Sequence, residues 1–210
     1  MKAFFQTRLK KHQKRILRYM KYVLNDHFVL MMTFLLGGIG FYYSNWLKTL
    51  SPGYPLGGLL VLVIWIVSLH IGRFVSLAQP ADQIFLLPKE KQMRSYLSAA
   101  FSYSCIFPFV VILLILAFTM PLVVVSTGSS FATFFFYLLS LWGLKISHLE
   151  IQRMSIFQDM KKAKKNAYFL WIIFTLIILT ISVWFQPILA TIISAIQIIL
   201  FHKLCWQSMN

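Results

Sequence analysis

Apolar and polar positions fall in blocks along this chain. In residues 1–24, Phe5, Leu9, His12, Ile16, Tyr19 and Val23 recur at alternating spacings of four and three, one stripe of a helix. Lys10, Lys11, Lys14, Arg15, Arg18 and Lys21 fall on the other side. Six long apolar segments follow: Phe28–Leu47, Leu56–Leu77, Leu97–Val125, Phe131–Ser147, Ala167–Phe185 and Ile188–Leu204. A bilayer span needs about 20 apolar residues at helical rise. The first two fit. The third is long and contains Pro108 and Pro121, which predicts a kinked or broken helix. The fourth is short, and Lys145 and His148 are expected to snorkel from its end. Gln186-Pro187 joins the last two as a tight hairpin, giving either two spans or one span plus a re-entrant element. The expected fold is all-α: a polytopic membrane helix bundle of about six spans preceded by an amphipathic interfacial helix.

The pattern divides the chain into the basic helix 1–27, a transmembrane domain 28–204 and a tail 205–210. Within the domain, polar loops cover 73–96 and 145–166. A basic amphipathic helix ahead of a span lies in the membrane interface. Phe5, Leu9 and Ile16 are its apolar anchors, and Lys10, Lys11, Lys14, Arg15 and Arg18 its contacts with anionic lipid. Asn25, Asp26 and His27 follow, and here Asn or Asp is expected to end the first helix and cap the next. Asp26 and His27 are adjacent in sequence, so they do not face each other on a helix.

Composition agrees with a membrane protein: 59% of the 210 residues are hydrophobic and only 12% charged, unlike a soluble domain with one core. A net charge of +15 raises the question of nucleic acid. The basic residues answer it by where they sit. They occupy the N-terminal helix, the two polar loops and, at Lys203, the end of the last apolar segment, leaving Lys48 alone on the opposite side. That sorting follows the positive-inside rule and puts both termini in the cytosol, with no nucleic-acid face. The expected outer loops, Thr49–Pro55 and Ser126–Ser130, are short turns.

The loop 73–96 is unusual. Between Pro80 and Glu90 it carries Asp82, Gln83, Ile84, Phe85, Leu86, Leu87, Pro88 and Lys89. An apolar run on a soluble face marks a partner surface. Equally, such a run suits a turn that dips into lipid headgroups. In the first reading Phe85, Leu86 and Leu87 enter an apolar groove on a soluble partner, and Arg73, Lys89 and Arg94 steer the docking. The second loop, 145–166, has Leu149, Ile156, Met160 and Ala163 on one face, with Glu150 and Asp159 among the bases. It reads as an ordinary basic interfacial loop or as a helical continuation of the fourth span.

Catalytic signatures are missing. No His-Glu-x-x-His, Gly-x-Ser-x-Gly or phosphate-binding Gly-x-x-x-x-Gly-Lys occurs, so no cofactor is expected on this chain. The two cysteines, Cys105 and Cys205, make no disulfide framework, and no zinc spacing is present. His70 is the one titratable group well inside an expected span, and the spans hold no Asp or Glu. Ion-coupled carriage, which relies on buried carboxylates, is therefore disfavoured. Trp65, Trp142, Trp171 and Trp184 give large lipophilic surfaces.

Tyr22–Val29 at the end of the basic helix, Phe41–Ser44 in the first span and Ala81–Glu90 followed by Met93 together resemble the EcsB/PptB-type ABC transporter permeases. The specific motifs run from about Lys10 to Tyr103. The resemblance implies an exporter permease from Firmicutes partnered by an EcsA-type ATPase, with ATP and Mg on that partner. It implies hydrophobic, pheromone-like peptides as substrates; with such a partner, the apolar loop reading places the ATPase contact at residues 82–90, and two nucleotide sites make a second permease copy a natural expectation. Members of that family are longer than 210 residues, so this chain is expected to be a short or truncated member. The competing reading is a non-transporting membrane regulator that binds an intramembrane protease or another membrane partner.

Overall fold

The computed structural model describes residues 2–77, 90–154 and 161–207. Among them the regular elements are all helical: α1 (Lys2–Val23), α2 (Asp26–Thr49), α3 (Pro55–His70), α4 (Glu90–Thr127), α5 (Phe134–Met154), α6 (Lys161–Trp184) and α7 (Pro187–Gln207). One turn of 3-10 helix, Phe131–Thr133, leads into α5. Four helical stretches are long and apolar enough to cross a bilayer: Asp26–Thr49, Ser95–Thr127, Phe131–Arg153 and Lys165–Trp184. Leu56–His70 and Pro187–Lys203 are shorter apolar helices. The chain is an all-α membrane helix bundle. Its apolar runs fold this way because helices satisfy their own backbone groups where no water is available.

Two compact units make up the chain. One comprises residues 1–50 and 76–100, the other residues 51–75 and 101–210. In the first unit α1 ends at Val23 and the next helix starts immediately. Asn25 caps α2, its side-chain oxygen accepting from the Phe28 N–H at 2.8 Å. Phe5 packs edge-on against Tyr96, 5.3 Å between ring centroids, and Tyr96 donates its hydroxyl proton to the Ser76 carbonyl. Arg8 donates to the Leu77 carbonyl at 3.1 Å and lies over the Phe4 ring. No residue of α2 is buried.

The second unit holds most of the core. Trp65 of α3 donates its indole N–H to Thr119 of α4 at 3.1 Å and packs against Tyr137 of α5. Trp171 of α6 donates to the Leu144 carbonyl of α5 at 3.0 Å. Helices α5 and α7 approach most closely at Gly143. A methyl group there would stand 3.1 Å from both Ser194 Oγ and Ile198 Cδ1. Ser140 and Ser147 flank Gly143 on α5, and Ala190 and Ser194 face the interior from α7. Small residues at such spacings let membrane helices pack backbone to backbone.

Several expectations change. The second apolar segment is helical only to His70, not to Leu77. Gly72 has φ +84°, which ends a right-handed helix, and its missing Cβ makes room for Pro108, whose Cγ would lie 2.7 Å from it. Helix α4 runs unbroken through Pro108 and Pro121. Packed neighbours and hydroxyl side chains allow proline inside membrane helices. The polar loop expected at 145–166 is helical through Met154 and again from Lys161; residues 155–160 lie outside the described residues.

Candidate functional site

The site grows from the problem that Gly72 creates. Once α3 stops at His70, the backbone from Ile71 onward has no helical partners, yet it lies beside apolar helices. Unpaired backbone groups cost several kcal/mol each in hydrocarbon. The structure supplies partners from α4 and α5. Lys145 Nζ donates to the Leu69 carbonyl at 2.7 Å and to the Gly72 carbonyl at 2.8 Å. The Phe74 N–H donates to Gln152 Oε1 at 2.7 Å, and the Val75 N–H donates to Ser104 Oγ at 2.9 Å. Four backbone groups between residues 69 and 75 are thus tied to side chains of neighbouring helices.

Lys145, His148 and Gln152 stand at i, i+3 and i+7 of α5, one helical face. Their hydrogen bonds form a directed chain. His148 Nδ1 lies 3.1 Å from the Leu69 carbonyl, so this nitrogen carries the proton and donates. His148 Nε2 is then the acceptor for the Gln152 amide N–H at 3.2 Å. That leaves Gln152 Oε1 facing the Phe74 N–H, which is the orientation observed. The network therefore fixes both the tautomer of His148 and the orientation of Gln152. Trp171 stacks on His148 with centroids 4.4 Å apart, and Tyr168 stacks on Trp171. His70 Nε2 meets the Tyr168 hydroxyl at 3.2 Å while its Nδ1 donates to the Ile66 carbonyl.

A second polar group lies on another side of the same turns of α5. Glu150, 5% exposed, meets Arg153 at 3.4 Å and His202 of α7 at 3.4 Å. Arg153 also faces the Phe101 ring. Among the described residues no three His, Cys, Asp or Glu side chains gather as metal ligands do. Chemically Lys145, His148 and Gln152 hold backbone, through the Leu69 and Gly72 carbonyls and the Phe74 amide. We call this cluster the latch.

Two sequence expectations are overturned here. Lys145 does not snorkel: it is 0% exposed, and His148 is buried beside it. The two carbonyls exposed by the end of α3 offer the ammonium partners inside the bundle, so it has no need of water. The apolar helices are also not free of acid, since Glu150 lies inside the third candidate span, Phe131–Arg153. His70 itself is exposed at the end of α3, whereas Lys145, His148 and Glu150 are buried. The sequence signal for the latch was the polar stripe at 145, 148 and 152 on an otherwise apolar helix, next to a glycine that ends its neighbour.

Of the residues singled out from sequence, Asp82, Gln83, Ile84, Phe85, Leu86, Leu87, Pro88 and Lys89 lie outside the described residues. Glu90 is the first residue of α4. On α1, Phe5 is buried and Leu9 half-buried, whereas Lys10, Lys11, Lys14, Arg15, Ile16 and Arg18 are exposed. Asn25 is a helix cap, Asp26 opens α2, and His27 is exposed in its first turn.

Comparison with known proteins gives a consistent result. The family described as "Bacterial ABC transporter protein EcsB" matches residues 2–210. Protein EcsB of Bacillus subtilis (strain 168) is 31% identical over 169 residues, which is 79% of this chain and 40% of that protein. The chain thus spans less than half the length of this relative. No solved structure matches it.

Proposed function

Because the chain belongs to the EcsB family of bacterial ABC transporter proteins, we propose that it forms the membrane-embedded, non-catalytic part of an ABC exporter. ATP and Mg bind a separate EcsA-type subunit, and hydrolysis there drives the helices between inward- and outward-open states. Both termini and the loop 73–96 face the cytosol, where basic residues concentrate. The substrates are hydrophobic peptides or related lipophilic molecules, and a second permease copy completes the assembly. Residues 82–90 meet the ATPase, with Phe85, Leu86 and Leu87 in an apolar groove.

The observation that carries the mechanical part of this reading is the latch. Force applied to a flexible tether is lost as slack. Here the end of α3 and the first residues of the loop are bonded to α4 and α5 at four backbone groups. A displacement of the loop root then moves α5, which packs closely on α7 at Gly143. Coupling through such a two-helix path needs contiguous packed elements, and these are present.

The test is reconstitution of the chain with its ATP-binding subunit in lipid vesicles. Hydrophobic peptides are expected to stimulate ATP hydrolysis. No stimulation by any peptide, with the two subunits still associated, would favour a non-transporting regulator of an intramembrane protease.

A further inference from the structure

We propose that the interior of the second unit is hydrated at Thr175, Ser182 and Gln197, each side chain holding an internal water molecule. Four buried serine hydroxyls in this unit satisfy themselves on their own helix. Ser68 donates to the Trp65 carbonyl, Ser140 to Phe136, Ser147 to Gly143 and Ser194 to Thr191. Thr175 and Ser182 break that habit. Both are buried, and neither hydroxyl has a partner among the described residues. Gln197 on α7 is 1% exposed, and both atoms of its amide, Nε2 and Oε1, are likewise without a partner.

Four orphaned polar atoms at membrane depth are too costly to be left bare, at several kcal/mol each in hydrocarbon. Their chemistry identifies the guest. A primary amide offers a donor and an acceptor together, and a hydroxyl offers both in one atom. None of the three side chains carries a charge, so no ion is called for. A small, neutral guest that donates and accepts is water, which commonly satisfies buried polar groups in this way. Thr175 and Ser182 are seven residues apart on α6, one face and about 10 Å along the axis. Water at both levels spans about a third of a hydrocarbon core roughly 30 Å thick. The inference stands on the orphaned atoms and is independent of the ABC reading.

X-ray radiolysis of the purified chain in detergent tests it, because internal water generates hydroxyl radicals where it sits and mass spectrometry reads the oxidised side chains. Ile178 and Leu179, buried and within one turn of Thr175, are expected to oxidise at least tenfold faster than Ile112 and Leu116, which are equally buried on α4. Equal rates would overturn the proposal. A second measurement uses the isosteric variant Thr175→Val. Loss of a water-bonded hydroxyl lowers Tm by about 2–4 °C for a chain of this size. A raised Tm, the signature of removing a dry orphan, would also overturn it.

Discussion

Replacing Gln152 with Leu isolates the latch with little change of volume and no change of charge. Gln152 accepts the Phe74 N–H at 2.7 Å and donates to His148 Nε2. Leucine can do neither. The Phe74 amide loses its acceptor in a half-buried place. An orphaned buried donor costs about 1–3 kcal/mol. Because this amide retains some exposure, we take the lower part of that range, about 1–2 kcal/mol. That energy corresponds to a factor of about 5–30 in the local opening equilibrium. Hydrogen–deuterium exchange over residues 71–77, in detergent or nanodiscs, reads it directly. Exchange at Phe74 should quicken by that factor, while amides in the middle of α7 keep their protection. Gln152→Glu keeps an acceptor for Phe74 but loses the donor to His148, so it should preserve Phe74 protection much better than leucine does. Unchanged exchange in Gln152→Leu would mean that the backbone after α3 is not held by α5, and the latch would be refuted.

Other substitutions probe the supports around it. Gly72→Ala places a Cβ on a φ of +84° and 2.7 Å from Pro108 Cγ; the backbone term alone costs about 1–2 kcal/mol, so a lower Tm and faster exchange at residues 71–75 are expected. Gly143→Val overpacks the α5–α7 contact, where even a methyl would meet Ser194 and Ile198 at 3.1 Å, and should destabilise by about 1–3 kcal/mol in thermal unfolding. Gly38→Ala, with nothing within 4 Å of the added methyl, should leave Tm unchanged, and an equal loss in both variants would contradict the close approach. Asn25→Ala removes the cap of α2 and should cost about 1 kcal/mol, seen as faster exchange confined to residues 26–29.

The helices were legible in the amino-acid sequence because apolar runs at span length leave few alternatives. The break between α1 and α2 was legible too, since Asn25 supplies a side-chain acceptor where a new helix must start. The end of α3 was not. Ile71, Phe74, Val75 and Leu77 continue the apolar run past His70, and only the conformation of Gly72 against Pro108 shows that the helix stops. Lys145 was misread for a related reason. A lysine near the end of an apolar segment ordinarily reaches for water. Its true partners, the Leu69 and Gly72 carbonyls, lie more than 70 residues away in sequence and exist only because α3 ends early. Glu150 followed the same pattern: the stretch looked like a polar loop, but His202 of α7 and Arg153 accommodate it within a helix. Local pattern reveals which residues are apolar; it does not reveal which backbone groups are left without partners after packing.

The central claim is that an ATP-binding subunit acts on this membrane bundle through the loop 73–96. Its most direct measurement is site-specific cross-linking from Phe85→Cys, with Cys105 and Cys205 replaced by Ser, in membranes that also contain the ATP-binding subunit. The account predicts a cross-linked product of the two chains, together with protection of that thiol from reagents added outside the cell. A thiol at position 85 that is labelled from outside, or that forms no cross-link while the two subunits co-purify, would contradict it.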